Sequence, residues 1–234
     1  MAIIERIDMS TDTQPDAAAT PEARTHYWDE YYAARSTSVR RLPSQFAVFV
    51  AGELEGRHRI IELGCGNGRD SMFFASYGHE VVAVDASQAA IDGCRTLADA
   101  LGERATFICS RIEDPALPTL VRGDAGPRLV YARFFLHAIT EDEERDLVAL
   151  AAAVTDPGDI LAVEYRTVRD SSGVKVTDDH YRRFVLPAAF EARALGNGFD
   201  VVYSVEGFGF AKHGQDDAYV ARTLLRRRGP GTQA

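Results

Sequence analysis

The sequence predicts one α/β domain, a seven-stranded and mostly parallel sheet with helices on both faces. Three observations carry that prediction. Strand-like and helix-like hydrophobic periods alternate along the main part of the chain, the pattern of strands joined by crossover helices. A glycine-rich turn, "GCGNG", separates the first strand from the helix after it. The last two strands follow each other with no helix between them, so they form an antiparallel pair at the end of the sheet. With 234 residues and 46% hydrophobic content, the chain can bury one sizeable core and has little left for a second.

In chain order, residues 1–22 mix Ser, Thr, Asp, Pro and Ala without a sustained period and read as a disordered leader, so folding is expected to begin near Thr25. The aromatic stretch "THYWDEYYAAR" then forms a helical segment within 23–42. The main domain spans 43–228 and opens on the helix "PSQFAVFVAGEL". Next come the strand "HRIIEL", the helix "GRDSMFFASYG", the strand "EVVAVD", the helix "SQAAIDGCRTLADALG" and the strand "ATFICS". The second half continues with the strand "RLVYARFF", the helix "TEDEERDLVALAAAV", the strand "DILAVEYRTV" and the helix "PAAFEARALGNG". It closes with the strands "DVVYSVEGFGFA" and "DAYVARTLLRR" and a flexible tail, 229–234. Thr140 and Glu143 make a capping box, with Leu147, Leu150 and Val154 as the apolar stripe behind it. An inserted polar loop occupies about 166–186.

A net charge of -9 argues against a protein built to hold nucleic acid. No apolar run approaches a membrane span, and the acids in "MAIIERIDMSTDTQPDAAAT" do not fit a secretory signal, so a cytoplasmic protein is expected. Cys65, Cys94 and Cys109 are odd in number and lack metal-site spacing, and they read as small buried thiols. A monomer or a homodimer fits equally well.

A glycine-rich turn between a buried strand and a helix N-terminus is where an open parallel sheet takes its ligand. Gly64, Gly66 and Gly68 let the backbone come close, but the spacing is GxGxG and Arg69 stands where a dinucleotide fingerprint needs its third glycine. Glu62, two residues ahead, would repel a pyrophosphate and could accept a hydrogen bond from an ammonium group. Asp85 ends the second strand, where a carboxylate can receive both hydroxyls of a ribose. The site therefore suits a nucleoside joined to something cationic.

Through "ELGCGNG" and "VVAVDAS" the chain resembles the class I S-adenosylmethionine-dependent methyltransferases, over roughly residues 43–226. The resemblance implies a Rossmann-like sheet and S-adenosyl-L-methionine as cofactor. It places the methionine part against Gly64, Cys65, Gly66 and Gly68, the ribose on Asp85, and the adenine beside Ala86. Many members carry an Asp after the third strand, whereas "FICSRIED" offers Ser110 and Arg111, so adenine contacts are expected from Ser110, the Ile112 backbone or Glu113. It also implies that Tyr27, Trp28, Tyr31 and Tyr32 form a lid that excludes water from a sulfonium centre, against the alternative that they cover the sheet edge.

His137, after the fourth strand, is a candidate base for a hydroxyl acceptor or else packs under the loop; His180 is its rival. Arg133 either contacts the bound ligands or braces its strand. Tyr165, Arg166, Tyr181, Arg182 and Arg183 flank the inserted loop and either bind an anionic acceptor or belong to an ordinary solvated surface, since all but two of the basic residues are Arg. Metal-assisted members of the family it resembles place carboxylates after the fourth strand, where "YARFFLHAI" has none, and no zinc spacing occurs, so no metal is expected. "YWDEYY", "PSQFA", "GCGNGRD" and "RFFLHAI" look similar to bacterial saccharide and specialised-metabolite methyltransferases, which points to O-methylation of a small-molecule acceptor. A non-catalytic cofactor- or partner-binding protein of the same fold is the alternative, and a nucleotide-dependent oxidoreductase the third.

Overall fold

The computed structural model describes residues 20–34, 42–171, 181–212 and 216–229. Seven strands form one sheet: β1 (Arg59–Leu63), β2 (Glu80–Asp85), β3 (Ala105–Cys109), β4 (Arg128–Arg133), β5 (Ile160–Arg166), β6 (Phe199–Gly207) and β7 (Val220–Arg227). Their order is β3-β2-β1-β4-β5-β7-β6, with the first five strands parallel. β7 runs antiparallel between β5 and β6. The chain winds outward from β1 in one direction and then from β4 in the other, so a crevice opens beyond the carboxyl ends of these two strands.

Side chains alternate across the strands and bury two apolar layers. On one face Ile61, Val82, Val130, Leu161 and Leu225 pack against α5 (Leu117–Arg122), α6 (Glu141–Val154) and α7 (Pro187–Gly196). On the other face Ile60, Val81, Leu129 and Ala162 pack against α2 (Gln45–Gly52), α3 (Arg69–Ser76) and α4 (Gln88–Leu101). Each Leu, Ile or Phe taken fully out of water there contributes about 1.5–3 kcal/mol. The capping box of α6 is present, Thr140 Oγ1 accepting from Glu143 N at 3.2 Å, and Leu147, Leu150 and Val154 are buried behind it.

Four expectations change. Helix α1 (Pro21–Ala33) begins ahead of Thr25, because Thr20 caps it through its hydroxyl and Pro21 at the first position lacks only an N–H that would have no partner. α5 was not expected: it is short and holds Pro118 in its first turn, which masks its period, yet Leu117 and Val121 are fully buried. β4 stops at Arg133 and not at Phe135, since Phe134 adopts φ 53° and turns the chain into a 3-10 turn at Leu136–Ala138. Cys109 is exposed, whereas Cys65 and Cys94 are buried. The leader up to residue 19, residues 35–41 of the lid, residues 172–180 of the inserted loop with His180, and the tail from residue 230 lie outside the described residues.

Candidate active site

The glycine turn follows β1 with Gly64, Gly66 and Gly68 at φ 71°, 52° and 69°, a conformation that a side chain would strain. A Cβ would also find no room. Phe135 stands where Gly64 would carry one, the Tyr32 hydroxyl at Gly66 and the Cys94 sulfur at Gly68. The glycines thus admit close packing by the protein's own side chains. Cys94 Sγ also donates to Gly66 O at 3.2 Å, tying α4 to the turn.

Asp85, at the tip of β2, accepts from Gly66 N at 2.8 Å on one carboxylate oxygen and from Ser87 N at 3.0 Å on the other. Burial pushes its pKa up, against the pull of these N–H groups. The carboxylate is oriented by the backbone on both sides and still faces the crevice, leaving lone pairs for a diol. Glu62 lies beneath the turn. Its carboxyl is buried, accepts from the Ser71 hydroxyl, and has its pKa raised to about 8 by burial and by the charge of Asp70. Asp70 in turn receives Ser44 N and Ser44 Oγ at 2.7 Å and Tyr131 OH at 2.9 Å.

The crevice is a cleft that opens to solvent. Gly64, Asp85 and Ala86 form its floor, and Arg111, Ile112 and Glu113 form one rim. Phe134, Phe135, Ala138 and Ile139 form the opposite wall. α1 roofs it with Arg24, Thr25, Trp28 and Tyr32. The helix is fixed at both ends: Arg24 donates to Glu143 Oε1 at 2.6 Å, and Asp29 Oδ1 accepts from Ser87 Oγ and Ala89 N at 2.9 Å each. Tyr27 and Tyr31, expected in the lid, stack on each other at 6.3 Å and lie outside the cleft lining. Burial and the Asp85 carboxylate hold the Tyr32 hydroxyl protonated, its pKa well above the usual phenol range.

The arginines expected to receive an acceptor are mostly paired within the protein. Arg133 donates to Glu164 Oε1 and Arg222 to Glu164 Oε2, both at 2.7 Å, and Glu164 is fully buried. Arg133 therefore braces β4 against β5 and is not placed to bind the cofactor. Arg166 is buried between Asp170 and Asp216. Tyr165 packs in the core with its hydroxyl 3.4 Å from Thr223 Oγ1, so it cannot touch an acceptor. Arg183 pairs with the buried Glu144 and donates to the Leu136 and Ile139 carbonyls at 3.2 and 3.3 Å. Its role is to clasp the turn that carries His137. Ser110 bonds Asp114 at 3.0 Å and lies outside the cleft lining; Ile112 and Glu113 are in it. Cys65 is buried within the turn.

His137 sits on the 3-10 turn with its ring edge against Phe134, 5.2 Å between centroids. Arg182 is half-buried, and burial together with the neighbouring charge of Arg166 lowers its pKa. Tyr181 lies under the Arg24 guanidinium at 5.2 Å. Sequence reasoning singled out none of Phe134, Phe135, Arg24 and Asp29. Only Glu143, through its capping box, carried a local signal. Among the described residues no group of His, Cys, Asp and Glu side chains could hold a metal ion, and no helix is long and apolar enough to cross a membrane.

Residues 60–158 match the family model for a methyltransferase domain. Over that stretch, which holds the glycine turn and Asp85, the chain is similar to methyltransferase domains. Solved structures agree on the fold. The CcbJ methyltransferase from Streptomyces caelestis has 18% identity and a TM-score of 0.65, over 88% of this chain and 99% of that one. Magnesium protoporphyrin IX methyltransferase (ChlM) from Synechocystis PCC 6803, with bound SAH, has 14% identity and a TM-score of 0.60, over 87% and 99%. The cyclase SpnF has 15% identity and a TM-score of 0.63, over 88% and 93%. At these identities the likeness of this chain to its neighbours concerns the fold alone. No curated protein gives a significant match. The residues suit such a cofactor chemically: a positive-φ glycine turn and a carboxylate oriented by two backbone N–H groups both border the cleft.

Proposed function

We propose that this methyltransferase O-methylates a small polar or anionic acceptor, a sugar, phosphorylated metabolite or natural-product intermediate, in the cytoplasm. The observation that carries the reading is Asp85, a carboxylate oriented by two backbone N–H groups and presented to a cleft under an aromatic roof. Bound S-adenosylmethionine supplies an electrophilic methyl group. This chain's residues then have three tasks: to hold the nucleoside and the amino-acid ends, to exclude water, and to align the acceptor. Asp85 receives the ribose, Ala86 and Ile112 flank the adenine, and Gly64 to Gly68 accommodate the methionine part. Trp28, Tyr32, Phe134 and Phe135 keep water from the reacting centre.

For a hydroxyl acceptor we assign the proton to His137, which is buried between the lining residues Phe135 and Ala138 on a turn clasped by Arg183, so a shift of that turn must present it to the cleft. Arg133, Arg166 and Arg183 are neutralised by carboxylates, so they do not supply the charge that an anionic acceptor would meet. The test is S-adenosylhomocysteine formation against a panel of hydroxyl, carboxylate and phosphate acceptors, with wild type and His137→Ala. With a hydroxyl acceptor, His137→Ala should lower kcat by about 10²- to 10⁴-fold at unchanged cofactor affinity. Near-normal turnover, with an unaltered rate–pH profile, removes His137 from the chemistry. Cofactor binding without transfer to any acceptor would favour a non-catalytic role.

A further inference from the structure

α1 carries no fully buried residue, and polar contacts act beside its half-buried aromatic side chains to fix where it docks. One of these polar contacts reaches the cofactor site. Asp29 Oδ1 accepts from Ala89 N and from Ser87 Oγ, both at 2.9 Å, and so joins the N-terminal turn of α4, where free N–H groups favour a carboxylate. These bonds hold the Asp29 carboxyl below its ordinary pKa, charged through the neutral range. Ser87 is shared. Its hydroxyl caps α4 by accepting from Ala90 N at 3.1 Å, and its own N–H donates to Asp85 Oδ1 at 3.0 Å. The other Asp85 oxygen is held by Gly66 N, and over Gly66 stands the hydroxyl of Tyr32, one turn of α1 beyond Asp29.

We propose that Asp29 is a positioning residue for the cofactor site, which docks α1 on α4 and, through Ser87, sets the carboxylate of Asp85. The proposal rests on the reading that the ribose of the cofactor sits on Asp85. Roof and floor of the cleft are then one hydrogen-bonded unit: Asp29 and Asp85 grip the same serine from either side, and Tyr32 covers the turn that supplies the second N–H. Releasing Asp29 loosens the roof and the ribose carboxylate together, which speeds escape of the bound nucleoside. The rest of the fold stays, because α1 contributes nothing to either core layer.

Trp28 is the only tryptophan of the chain and lines the cleft, so its fluorescence reports on occupancy. Dissociation of S-adenosylhomocysteine, followed by stopped-flow Trp28 fluorescence, should be about 10-fold faster or more in Asp29→Ala, while the melting temperature moves by less than about 2 °C. Asp29→Asn keeps an oxygen that can accept both hydrogens and should stay within about 3-fold of wild type. An Asp29→Ala rate within about 2-fold of wild type overturns the proposal. So does an Asn variant as fast as the Ala variant, because the hydrogen-bonded geometry would then be irrelevant. Should Asp29→Ala not fold, Asp29→Ser, too short to reach both donors, carries the same expectation. Failure of wild type to bind S-adenosylhomocysteine at all would remove the functional reading itself, a result distinct from normal binding with an insensitive Asp29.

Discussion

The two halves of the sheet hold their sites by different means. Around β1 and β2 the cleft is made of main chain: three glycines at positive φ and one carboxylate held by two backbone N–H groups. Around β4, β5 and β7 it is backed by long side chains that neutralise one another, with Arg133 and Arg222 on Glu164 and Arg166 on Asp170 and Asp216. The first arrangement leaves a polar group available to a ligand. The second uses its charges to join strands, and what it offers the cleft is Phe134, stacked under Arg133 at 4.3 Å. A run of arginines in sequence therefore says little about anion binding until their carboxylates are located.

The contrast can be broken by variants on each side. The largest effect is expected at Glu164. Glu164→Ala leaves the buried Arg222 and the partly buried Arg133 without a counter-charge and should destabilise the fold by about 3–5 kcal/mol in denaturant titration. A loss below about 1 kcal/mol would show that these ion pairs do not hold the second half. Asp85→Ala should do the reverse. It should weaken S-adenosylmethionine binding by about 100-fold in calorimetry and change the melting temperature little, since it removes charge-assisted bonds to the ligand. Unchanged affinity would take the ribose away from Asp85.

The smallest effect sharpens the comparison inside the first half. Folding raises the Glu62 pKa from 4.5 to about 8, so the folded state binds a proton that the unfolded state has lost between those values. Its contribution is complete below about pH 4.5 and erodes as pH rises towards 8, by on the order of a few kcal/mol. Stability measured from pH 5 to 8 should fall less steeply in Glu62→Gln, which can still accept the Ser71 hydroxyl. Equal slopes would mean that Glu62 ionises in the fold without cost.

The sequence by itself determined the alternation of strands and helices, the antiparallel end of the sheet, the capping box at Thr140 and the pairing of "ELGCGNG" with Asp85. Each is a local matter of hydrophobic period, backbone conformation or a carboxylate at a strand tip, and short-range chemistry decides it. The tertiary structure alone decided which charges remain available. Arg166 meets Asp216 and Arg133 meets Glu164 across 50 and 31 residues of chain, and Tyr165 is sealed beneath them. It also decided that Phe135 and Tyr32 stand over the glycines and that Asp29 meets Ser87, 58 residues away. No local pattern encodes such meetings, because the sheet order and the docking of α1 bring the partners together, and a side chain's availability depends on whether a distant opposite charge has already engaged it.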